Sequence, residues 1–342
     1  MLDIAPMSCS LCVVFEDDPD RGQTLLEHNG FDETVKLHDA AGRHFAFAHD
    51  DLGRVVQRSE GLSVSTYEYD TAAHGIGSLA RTTSADGHVE EYSYDALSRP
   101  ATTTLQLADG RTFQQSQTYD VEGRIAGVTY PNGFGVQRQY DSTGRLLRIH
   151  NSADRTQVVW QLDVVNAAGQ TMLETFGNGV TTERIYSDEA QTLETLYTMA
   201  GLTTLQSLRY EYDAQLNVKS RLDSRQGKIE RFYHDALHRV TCARVHECTN
   251  DWTCINVDAP CDGDVHYGPT GSITYKADVG TYVPDPLHPH AVKSAGALQF
   301  EYDAVGNQVE RPGETITYTD FDLPRQYIPK AGGVTTTFEY SA

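Results

Sequence analysis

The segments Tyr119-Asp120-Val121-Glu122-Gly123-Arg124 and Tyr140-Asp141-Ser142-Thr143-Gly144-Arg145 are two copies of one motif, Tyr-Asp-x-x-Gly-Arg, which recurs along this chain of 342 residues. From Asp50 to Asp235 the repeat aspartates follow one another at steps of 20 to 25 residues. A period in this range is typical of repeat proteins, in which each unit buries its apolar face by stacking on its neighbours. Further clean or degenerate copies place these residues in the same role: Tyr69, Asp70, Tyr94, Asp95, Arg99, Tyr212, Asp213, Tyr302, Asp303 and Gly306.

A second turn signal lies between consecutive Tyr-Asp pairs, 8 to 10 residues before the next repeat aspartate. It is a hairpin dipeptide whose residues tolerate positive φ, which predicts a two-residue type I′ turn. The segments between the two kinds of turn are rich in Thr, Val, Tyr and Gln, as is typical of strands of mixed polarity. The dipeptides are Asp86-Gly87, Asp109-Gly110, Asn132-Gly133 and Asn178-Gly179.

Each repeat is therefore predicted to be a strand, a Gly turn, a strand and an Asp-Gly turn. In the second turn the aspartate accepts backbone N–H bonds, the glycine takes the left-handed position and the arginine begins the return strand. The predicted fold class is all-β, an antiparallel repeat array of these hairpins. One segment also fits a helical pattern, with Leu193, Leu196, Tyr197 and Ala200 on one face. The repeat register favours a strand there, followed by a turn at Gly201.

These motifs resemble those of the Rhs or YD-repeat family, which includes bacterial Rhs polymorphic toxins, the C components of insecticidal toxin complexes and animal teneurins. The resemblance runs from about Leu37 to the end, and its late motifs include Tyr267-Gly268-Pro269-Thr270-Gly271-Ser272, His288-Pro289-His290-Ala291-Val292 and Phe300-Glu301-Tyr302-Asp303. It implies a long sheet of YD hairpins that forms part of a spiralling β-shell. In the toxin members the shell encloses a C-terminal effector, so the implied partners are the remainder of an Rhs polypeptide and an enclosed C-terminal toxin.

The repeat pattern divides the chain into four parts. We expect residues 1–36 to be an irregular N-terminal segment and residues 37–239 to be the YD-repeat array. Residues 240–265 form a cysteine-rich insertion, and residues 266–342 hold C-terminal YD repeats that are incomplete at the end. Rhs proteins continue into an Asp-Pro-x-Gly self-cleavage motif, whereas Asp285-Pro286-Leu287-His288 lacks the glycine. We therefore expect a piece of a larger protein and carry over no autoproteolytic residue.

Acidic residues outnumber basic ones by 48 to 27, which leaves a formal net charge of -21. A surface this negative repels phosphate backbones, so no nucleic-acid partner is expected. Much of the acidity follows from the repeat, which places an aspartate in each turn. Because no run of 18 apolar residues occurs, no membrane span is expected. The resemblance implies a bacterial protein that is secreted or at the cell surface, although the chain shows no export signal.

Six cysteines fall into two groups. Cys9 and Cys12 form an isolated CxxC, which is weak evidence for a redox or zinc site. The other four are separated by 5, 5 and 6 residues within the insertion. Structural zinc usually needs ligand pairs closer together, so this spacing favours two disulfides; free thiols and a metal site are the alternatives, and three connectivities stay open. The four are Cys242, Cys248, Cys254 and Cys261.

The sequence contains no GxSxG, HExxH, Walker or dinucleotide-binding motif, so no enzyme activity is expected. His288-Pro289-His290 has a spacing that can bind metal, but a rigid loop between repeats explains it equally, and neither a metal nor a cofactor is expected. Two functions compete. The first is a non-catalytic structural segment of an Rhs shell that encloses or presents a toxin or effector polypeptide. The second is a cell-surface carbohydrate-binding or adhesion module, in which exposed Tyr, Asn and Asp side chains bind glycans.

Overall fold

The described part of the molecule, residues 14–248 and 264–341 of the computed structural model, consists of strands joined by turns. These two ranges contain 31 strands and no helix. They therefore contain no helix long and apolar enough to cross a membrane. Their strand pairings are antiparallel. The prediction of an all-β, antiparallel repeat array is therefore confirmed.

The strands follow one another along the chain with short connections. The first ten are β1 (Phe15–Asp18), β2 (Gly22–His28), β3 (Thr34–His38), β4 (His44–His49), β5 (Val55–Glu60), β6 (Ser63–Tyr69), β7 (Leu79–Thr83), β8 (Val89–Tyr94), β9 (Pro100–Gln106) and β10 (Thr112–Tyr119). The next eleven are β11 (Ile125–Thr129), β12 (Gly135–Tyr140), β13 (Leu146–Asn151), β14 (Val158–Val165), β15 (Thr171–Phe176), β16 (Val180–Tyr186), β17 (Leu193–Ala200), β18 (Thr203–Tyr212), β19 (Val218–Asp223), β20 (Lys228–His234) and β21 (Val240–Glu247). The last ten are β22 (Val265–Tyr267), β23 (Ile273–Lys276), β24 (Gly280–Pro284), β25 (Val292–Ala295), β26 (Leu298–Gln299), β27 (Glu301–Tyr302), β28 (Gln308–Arg311), β29 (Glu314–Tyr318), β30 (Pro324–Pro329) and β31 (Thr336–Thr337).

The chain divides into two compact units, each built from meanders of neighbouring strands. Met1–Ser116 and Val279–Ala342 make up the first unit, and Gln117–Asp278 makes up the second. In the first unit β1 to β10 pair in chain order, as do β24 to β26 and β27 to β31. In the second unit β11 to β21 pair in the same way, and β22 pairs with β23. These two units follow spatial contacts and cut across the four-part division that was based on the repeat pattern.

Consecutive turns alternate between the two edges of a meander. The Asp edge of the first unit carries turns 29–33, 50–54, 70–78 and 95–99, and its Gly edge carries turns 18–22, 39–43, 61–62 and 84–88. Among the C-terminal strands of this unit, turns 303–307 and 319–323 lie on the Asp edge. In the second unit, turns 130–134 and 177–179 lie on the Gly edge. Each repeat therefore contributes one turn to each edge.

The Asp-Gly turns have the hydrogen-bond pattern of a type I turn followed by a left-handed residue. In one of them Gly123 N donates to the carbonyl oxygen of Asp120 at 3.1 Å, and Asp120 N donates to the carbonyl oxygen of Arg124 at 2.9 Å. Gly123 has a φ of 85°. Asp120 and Gly123 thus close this turn, whereas the return strand β11 begins at Ile125, one residue after Arg124.

The prediction of type I′ turns at the hairpin dipeptides is wrong. Gly133 N donates to the carbonyl oxygen of Tyr130 at 2.9 Å, which places Gly133 at the fourth position of its turn. A type I′ turn needs positive φ at both central residues, yet Asn132 is not among the described residues with positive φ, whereas Gly133 has a φ of 81°. Pro131 and Gly133 suit this geometry, because proline favours the second position of a type I turn and glycine its fourth. The other three dipeptides form the same turn without a proline: Asp86, Asp109 and Asn178 lack positive φ, whereas the glycine after each of them has it.

A β-bulge recurs beside the repeat tyrosines. Gln139 faces Arg148 while the next residue, Tyr140, faces Leu146, so one residue of β13 is left over. The register shifts in the same way at Tyr69, Tyr94, Tyr186, Tyr212 and Tyr302. Bulges bend a strand and increase its twist. The motif therefore specifies a bend once per repeat in addition to the turn.

The expectation of an irregular segment over residues 1–36 is wrong for its described part. β1, β2 and the beginning of β3 occupy this region and pair with one another. Asn29 closes the turn between β2 and β3, where its Oδ1 accepts bonds from Phe31 N at 2.9 Å and Glu33 N at 3.1 Å. Asparagine thus replaces the repeat aspartate, and no arginine follows it, which is why the motif is hard to recognise here.

The cysteine-rich segment is shorter than the predicted range 240–265. Its first residues, Val240–Glu247, form β21 and pair with β20 along their length. Cys242 and Cys248 are described and neither is a free thiol. Cys9, Cys12, Cys254 and Cys261 lie outside the described residues, and so the pairing of the four insertion cysteines stays a prediction.

The segment with a helical pattern is a strand, as the repeat register predicts. Leu193–Ala200 is β17, which pairs with β16 on one side and β18 on the other. Gly201 follows with a φ of 58° and begins the turn to β18. Neighbouring strands satisfy the backbone donors and acceptors of β17 on both sides, which outweighs the local helical pattern.

Few apolar side chains in the described residues are buried, namely Phe45, Ala80, Val128, Val136, Cys242, Ala295, Val305 and Ile316. The repeat tyrosines, including Tyr119 and Tyr140, are half-buried. An aromatic ring in that position keeps its hydroxyl near polar groups while its faces pack on neighbours. The repeats are therefore held together by polar contacts at the turns as much as by an apolar core.

Replacing Gly133 by Ala should destabilise the protein by about 1 to 2 kcal/mol, because a Cβ is strained at the φ of 81°. The space around Gly133 is open, with nothing within 4 Å of an added Cβ, so the cost comes from the backbone alone. Gly30→Ala is the matched control, since Gly30 has equally open surroundings without positive φ. Urea unfolding of the two variants measures the difference, and equal midpoints would contradict the turn assignment.

Candidate functional site

The feature repeated throughout the described chain is a set of side-chain contacts around each Asp turn. In the best-formed copies the carboxylate accepts three bonds. Asp120 Oδ1 accepts from Glu122 N at 3.1 Å and Arg124 N at 2.8 Å, and Asp120 Oδ2 accepts from Arg124 Nε at 2.6 Å. The turns at Asp50, Asp95 and Asp235 have the same three bonds. The repeat arginine therefore closes its own turn, a role that the motif alone did not indicate.

The same arginine stacks on the tyrosine of the following repeat. Arg124 Cζ lies 4.6 Å from the ring centroid of Tyr140. Equivalent pairs are Arg54 with Tyr69 at 4.4 Å and Arg239 with Tyr267 at 4.3 Å. A guanidinium over an aromatic face is attracted by the ring quadrupole and shields the apolar surface from water. Each arginine thus links one repeat to the next.

The tyrosine hydroxyl completes the link by donating to the backbone. Tyr140 Oη donates to the carbonyl oxygen of Ile125 at 2.8 Å, and Ile125 is the residue directly after Arg124. In other repeats the acceptor is likewise the carbonyl oxygen of the first residue after the preceding Asp-edge turn. The pairs are Tyr94 with Leu79, Tyr212 with Leu193, Tyr267 with Val240 and Tyr302 with Val292. Tyr267 makes this bond across the cysteine-rich segment, so the repeat continues beyond it. We call the connected Asp, Arg and Tyr side chains the turn ladder.

Several predicted residues depart from this arrangement. Asp70 has a φ of 68° and lies at the start of a longer turn, 70–78, where its carboxylate pairs with Arg54 of the preceding turn. Asp141 accepts a bond from Thr143 Oγ1 at 2.7 Å. Asp213 and Asp303 bond Asn217 and Asn307, which stand in the place of the arginine. The carboxylate is the common element, and its side-chain donor varies.

The sequence reading missed one complete turn. Asp39, Gly42 and Arg43 have the spacing of the motif, and Arg43 Nε donates to Asp39 Oδ2 at 2.6 Å. Gly42 takes the left-handed position with a φ of 75°. His38 precedes it in place of tyrosine, and the turn lies on the Gly edge. The spacing Asp-x-x-Gly-Arg without the tyrosine would have been sufficient to find it.

Hydrogen bonds hold the pKa of several turn carboxylates below the ordinary range, namely Asp50, Asp95, Asp141, Asp213 and Asp235. For Asp95 the largest cause is the side-chain bond from Arg99, followed by the backbone N–H of the same residue. For Asp70 the bond from Arg54, with a second from Gly77 N, lowers the pKa to about 2. A lowered carboxyl pKa stabilises the folded state above the ordinary value of about 4 and stops doing so as the pH falls towards 2. The turn ladder is thus intact throughout the neutral range.

Within the first unit, the Asp edge of the C-terminal strands contacts the Gly edge of the first strands. Arg43 Nη2 lies 2.8 Å from Asp322 Oδ1, and Arg43 Nη1 donates to the carbonyl oxygen of Asp320 at 3.1 Å. Phe321 packs between the ring of Phe45, at 5.3 Å between centroids, and the guanidinium of Arg58, whose Cζ lies 3.4 Å from the Phe321 centroid. Turn 319–323 is thereby fixed on β4 and β5.

Two further contacts join the same edges. His290 N donates to Asp20 Oδ1 at 2.9 Å, and a Cβ added to Gly306 would lie 2.8 Å from the carbonyl oxygen of Asp20. Asp86, in turn 84–88, accepts bonds from Arg325 Nη1 at 2.6 Å and Tyr340 N at 3.1 Å. The hydrogen-bonded residues in these contacts are 239 to 270 positions apart in the chain. Sequence reasoning had no signal for them.

Glu60 lies beside this edge contact, at the end of β5. Its Oε2 is buried without a hydrogen-bond partner. Burial is the largest cause that raises the pKa of Glu60, to about 7, and Asp320, Asp39 and Asp322 add to it while Arg43 opposes it. The charge of Glu60 therefore changes near neutral pH.

Metal binding has little support in the described chain. Among residues 14–248 and 264–341, no three His, Cys, Asp or Glu side chains are placed to hold one ion. The two histidines of the HxH sequence have separate partners. His288 Nδ1 lies 3.2 Å from Asp285 Oδ1, and His290 Nδ1 lies 2.5 Å from Asp20 Oδ2. Both serve the turn and edge contacts of the first unit.

Tyr140→Phe should lower the free energy of unfolding by about 1 kcal/mol, because it removes the hydrogen bond to the carbonyl oxygen of Ile125. Tyr140→Ala should cost about 2 to 3 kcal/mol, because it also removes the ring stacked under Arg124. Tyr130→Phe is the matched control, because Tyr130 is 40% exposed and lies on the Gly edge. Urea unfolding followed by circular dichroism tests the series, and an equal loss in both Phe variants would contradict the turn ladder.

Glu60→Gln should remove part of the pH dependence of stability. A raised carboxyl pKa means that the protonated form is favoured in the folded state, so its contribution is complete below about pH 4 and is lost as the pH rises through about 7. As the pH rises from 5.5 to about 8, the urea midpoint of the wild type should therefore decrease more than that of the variant. Glu68→Gln, at an exposed residue, is the control. Parallel pH profiles for wild type and Glu60→Gln would refute this role.

Comparison with known proteins identifies the same repeat elsewhere. The family model described as the teneurin YD-shell matches residues 15–186, just over half of the chain. The double-stranded DNA deaminase toxin A of Burkholderia cenocepacia (strain H111) is 24% identical over 225 residues, which are 64% of this chain and 15% of that protein. The match to the family begins at β1, in agreement with the strands found in the N-terminal segment.

Solved structures share the fold at low sequence identity. The crystal structure of TcdB2-TccC3 without its hypervariable C-terminal region has a TM-score of 0.71 and 17% identity, over 96% of this chain and 19% of that one. The Photorhabdus luminescens Tc holotoxin pore has a TM-score of 0.68 and 18% identity, over 92% and 18%. This chain thus spans less than a fifth of each of these relatives. The family match, with its turn ladder at the matched residues, shows that the chain belongs to the teneurin YD-shell family.

Proposed function

We propose that this chain is a non-catalytic wall segment of a YD shell that encloses or presents a toxin or effector polypeptide. The observation that carries the proposal is the turn ladder. Its aspartates, arginines and tyrosines, the most regular polar residues of the chain, bond to one another and to the backbone of neighbouring strands. Side chains used in this way hold a wall together and leave the chemistry to another part of the polypeptide.

The comparisons support the assignment of this chain to the shell wall and not to the effector. The matching TcdB2-TccC3 structure lacks its hypervariable C-terminal region, yet it matches 96% of this chain. The likeness therefore lies outside the hypervariable region. The relative named as a DNA deaminase toxin is matched over only 15% of its length, and we assign no deaminase residue to this chain. Secretion or cell-surface placement, as for a toxin component, is part of the same proposal.

Limited proteolysis tests the enclosure. The longer polypeptide that carries this chain with native neighbouring repeats should form a protease-resistant particle that protects its C-terminal effector, whereas the isolated chain should protect nothing. An Arg43→Ala variant of the longer polypeptide loses the ion pair to Asp322 and should protect its contents less well. A longer polypeptide that leaves its effector fully accessible would overturn the enclosure. Selective binding of the isolated chain on a glycan array would instead favour the adhesion function.

A further inference from the structure

The turn ladder is interrupted at a link in the second unit, between the turns that begin at Asp213 and Asp235. In a complete link the repeat arginine pairs with the aspartate of its own turn and stacks on the tyrosine directly before the next turn. Asn217 stands in place of that arginine, and His234 stands in place of that tyrosine. Both side chains are smaller than those they replace, so this link has neither the guanidinium nor the phenol ring.

A cavity of about 640 Å³ lies at this interrupted link, and we call it the link cavity. The links on either side are closed by contacts of the usual kind. Tyr212 Oη donates to the carbonyl oxygen of Leu193 at 2.9 Å, and Arg239 Cζ lies 4.3 Å from the ring centroid of Tyr267. The cavity therefore coincides with the two replacements. Its lining includes Asp213, Asn217, Phe232, His234 and His238.

The carboxylate of Asp213 keeps capacity to accept a further bond. Its Oδ1 accepts from Gln215 N and Asn217 N, each at 2.9 Å, whereas Oδ2 accepts a single bond, from Asn217 Nδ2 at 2.9 Å. In a complete copy the same oxygen contacts two nitrogens, as Asp95 Oδ2 does with Arg99 Nε at 2.8 Å and Nη2 at 2.6 Å. Among the described residues, no lysine or arginine pairs with Asp213. Its charge is therefore available to a cation from outside the link.

A turn of the first unit shows how a link with asparagine in place of arginine regains a guanidinium. Asn307 Nδ2 donates to Asp303 Oδ2 at 3.0 Å and to Asp322 Oδ1 at 2.7 Å. Arg43, from the first strands, places its Nη2 2.8 Å from the same oxygen of Asp322. The guanidinium that this link lost is thus replaced by one from another row of strands.

The link in the second unit has the same asparagine arrangement. Asn217 Nδ2 contacts Asp213 Oδ2 and, at 3.0 Å, His238 Nδ1. His238 occupies the position in its turn that Asp322 occupies in the first unit, and the two residues have φ of 62° and 61°. In the described chain, however, no guanidinium is bonded to Asp213 or His238. This link therefore matches that of the first unit except for the incoming arginine.

We propose that the link cavity binds the guanidinium group of an arginine side chain from another polypeptide segment. The guanidinium pairs with Asp213 and lies against the His234 ring, in the way that a repeat arginine pairs with its aspartate and stacks on a tyrosine. A guanidinium suits both contacts, because its planar fork donates two N–H bonds to a carboxylate and its face stacks on a ring. This binding site does not depend on the proposed enclosure of an effector.

Lys219 and Arg231 also line the link cavity and make the sign of its charge preference testable. Their positive charges oppose an incoming guanidinium and attract an anion. Lys219→Gln should therefore strengthen the binding of an arginine side chain by about two- to fivefold at low ionic strength. If the cavity binds an anion instead, the same substitution weakens binding, and the proposal is wrong.

Ligand-observed NMR with the full chain tests the site directly. The probe is N-acetyl-L-arginine amide, whose δ-methylene signals should broaden on binding, with a dissociation constant in the millimolar range. N-acetyl-L-citrulline amide has the same shape without the charge and should bind at least about tenfold more weakly. In the protein spectrum the Cε1–H signals of His234 and His238 should shift as the arginine probe is added, which locates the probe in the link cavity.

Asn217→Arg supplies the missing guanidinium from within the chain and should abolish binding of the probe. Asn178→Arg is the matched control, because it places the same side chain at an exposed asparagine in another turn of the second unit. This control should bind the probe as the wild type does. Adding His234→Tyr to Asn217→Arg rebuilds the complete link and should also raise the urea midpoint above that of the wild type.

Three outcomes overturn the proposal: equal binding of the arginine and citrulline probes, unchanged binding by Asn217→Arg, or weaker binding by Lys219→Gln. Circular dichroism checks that each variant keeps its strands. If Asn217→Arg does not fold, Asp213→Asn replaces it, because an asparagine closes the equivalent turn at Asn29. Asp213→Asn removes the charge and should weaken binding at least about tenfold; binding as strong as that of the wild type would equally refute the site.

Discussion

The structure depends on the side-chain oxygen that closes each Asp-edge turn, which in the best-formed repeats belongs to an aspartate carboxylate. The carboxylate accepts two backbone N–H bonds and, in the best-formed copies, one from the arginine that ends the turn, which fixes both the turn and the guanidinium. The fixed guanidinium lies over the next tyrosine, and that tyrosine bonds back to the strand beginning after the turn. Each of these bonds contributes little by itself at an exposed turn. Repetition along the array adds these small terms between neighbours, as in other repeat proteins.

The carboxylate is retained where its partners change, which explains how the fold persists at low sequence identity. Asn217 and Asn307 replace the arginine, and Thr143 supplies the side-chain bond to Asp141. Strand residues between the turns face few buried neighbours and so accept many substitutions. A fold match with a TM-score of 0.71 at 17% identity is consistent with a chemistry that is fixed mainly at the turns.

The two edges of the array have different chemistry, and this difference lets one row of repeats recognise another. The Asp edge presents apolar tips beside carboxylates, while the Gly edge of the first unit presents Arg43, Arg58 and Phe45. Glycine is needed where the backbones meet, as at Gly306 beside the carbonyl oxygen of Asp20. The same contact places Glu60 in a partly dry and acidic environment, which is the reason for its raised pKa. Edge recognition and pH sensitivity therefore arise from one interface.

The sequence by itself determined the hairpins, the strand class of Leu193–Ala200 and the roles of Asp120 and Gly123 in their turn, because a turn is closed by bonds among residues no more than four apart. It did not reveal that the Gly turns are type I, nor that strands extend into the N-terminal segment, where Asn29 replaces the aspartate. The partners of the repeat arginines and tyrosines also required the structure, since they depend on the β-bulge and strand register. The contacts of Arg43 with Asp322, and of Arg325 with Asp86, were decided only by the tertiary structure. They join residues 279 and 239 positions apart, and which edges meet depends on the path of the whole array and not on any local pattern.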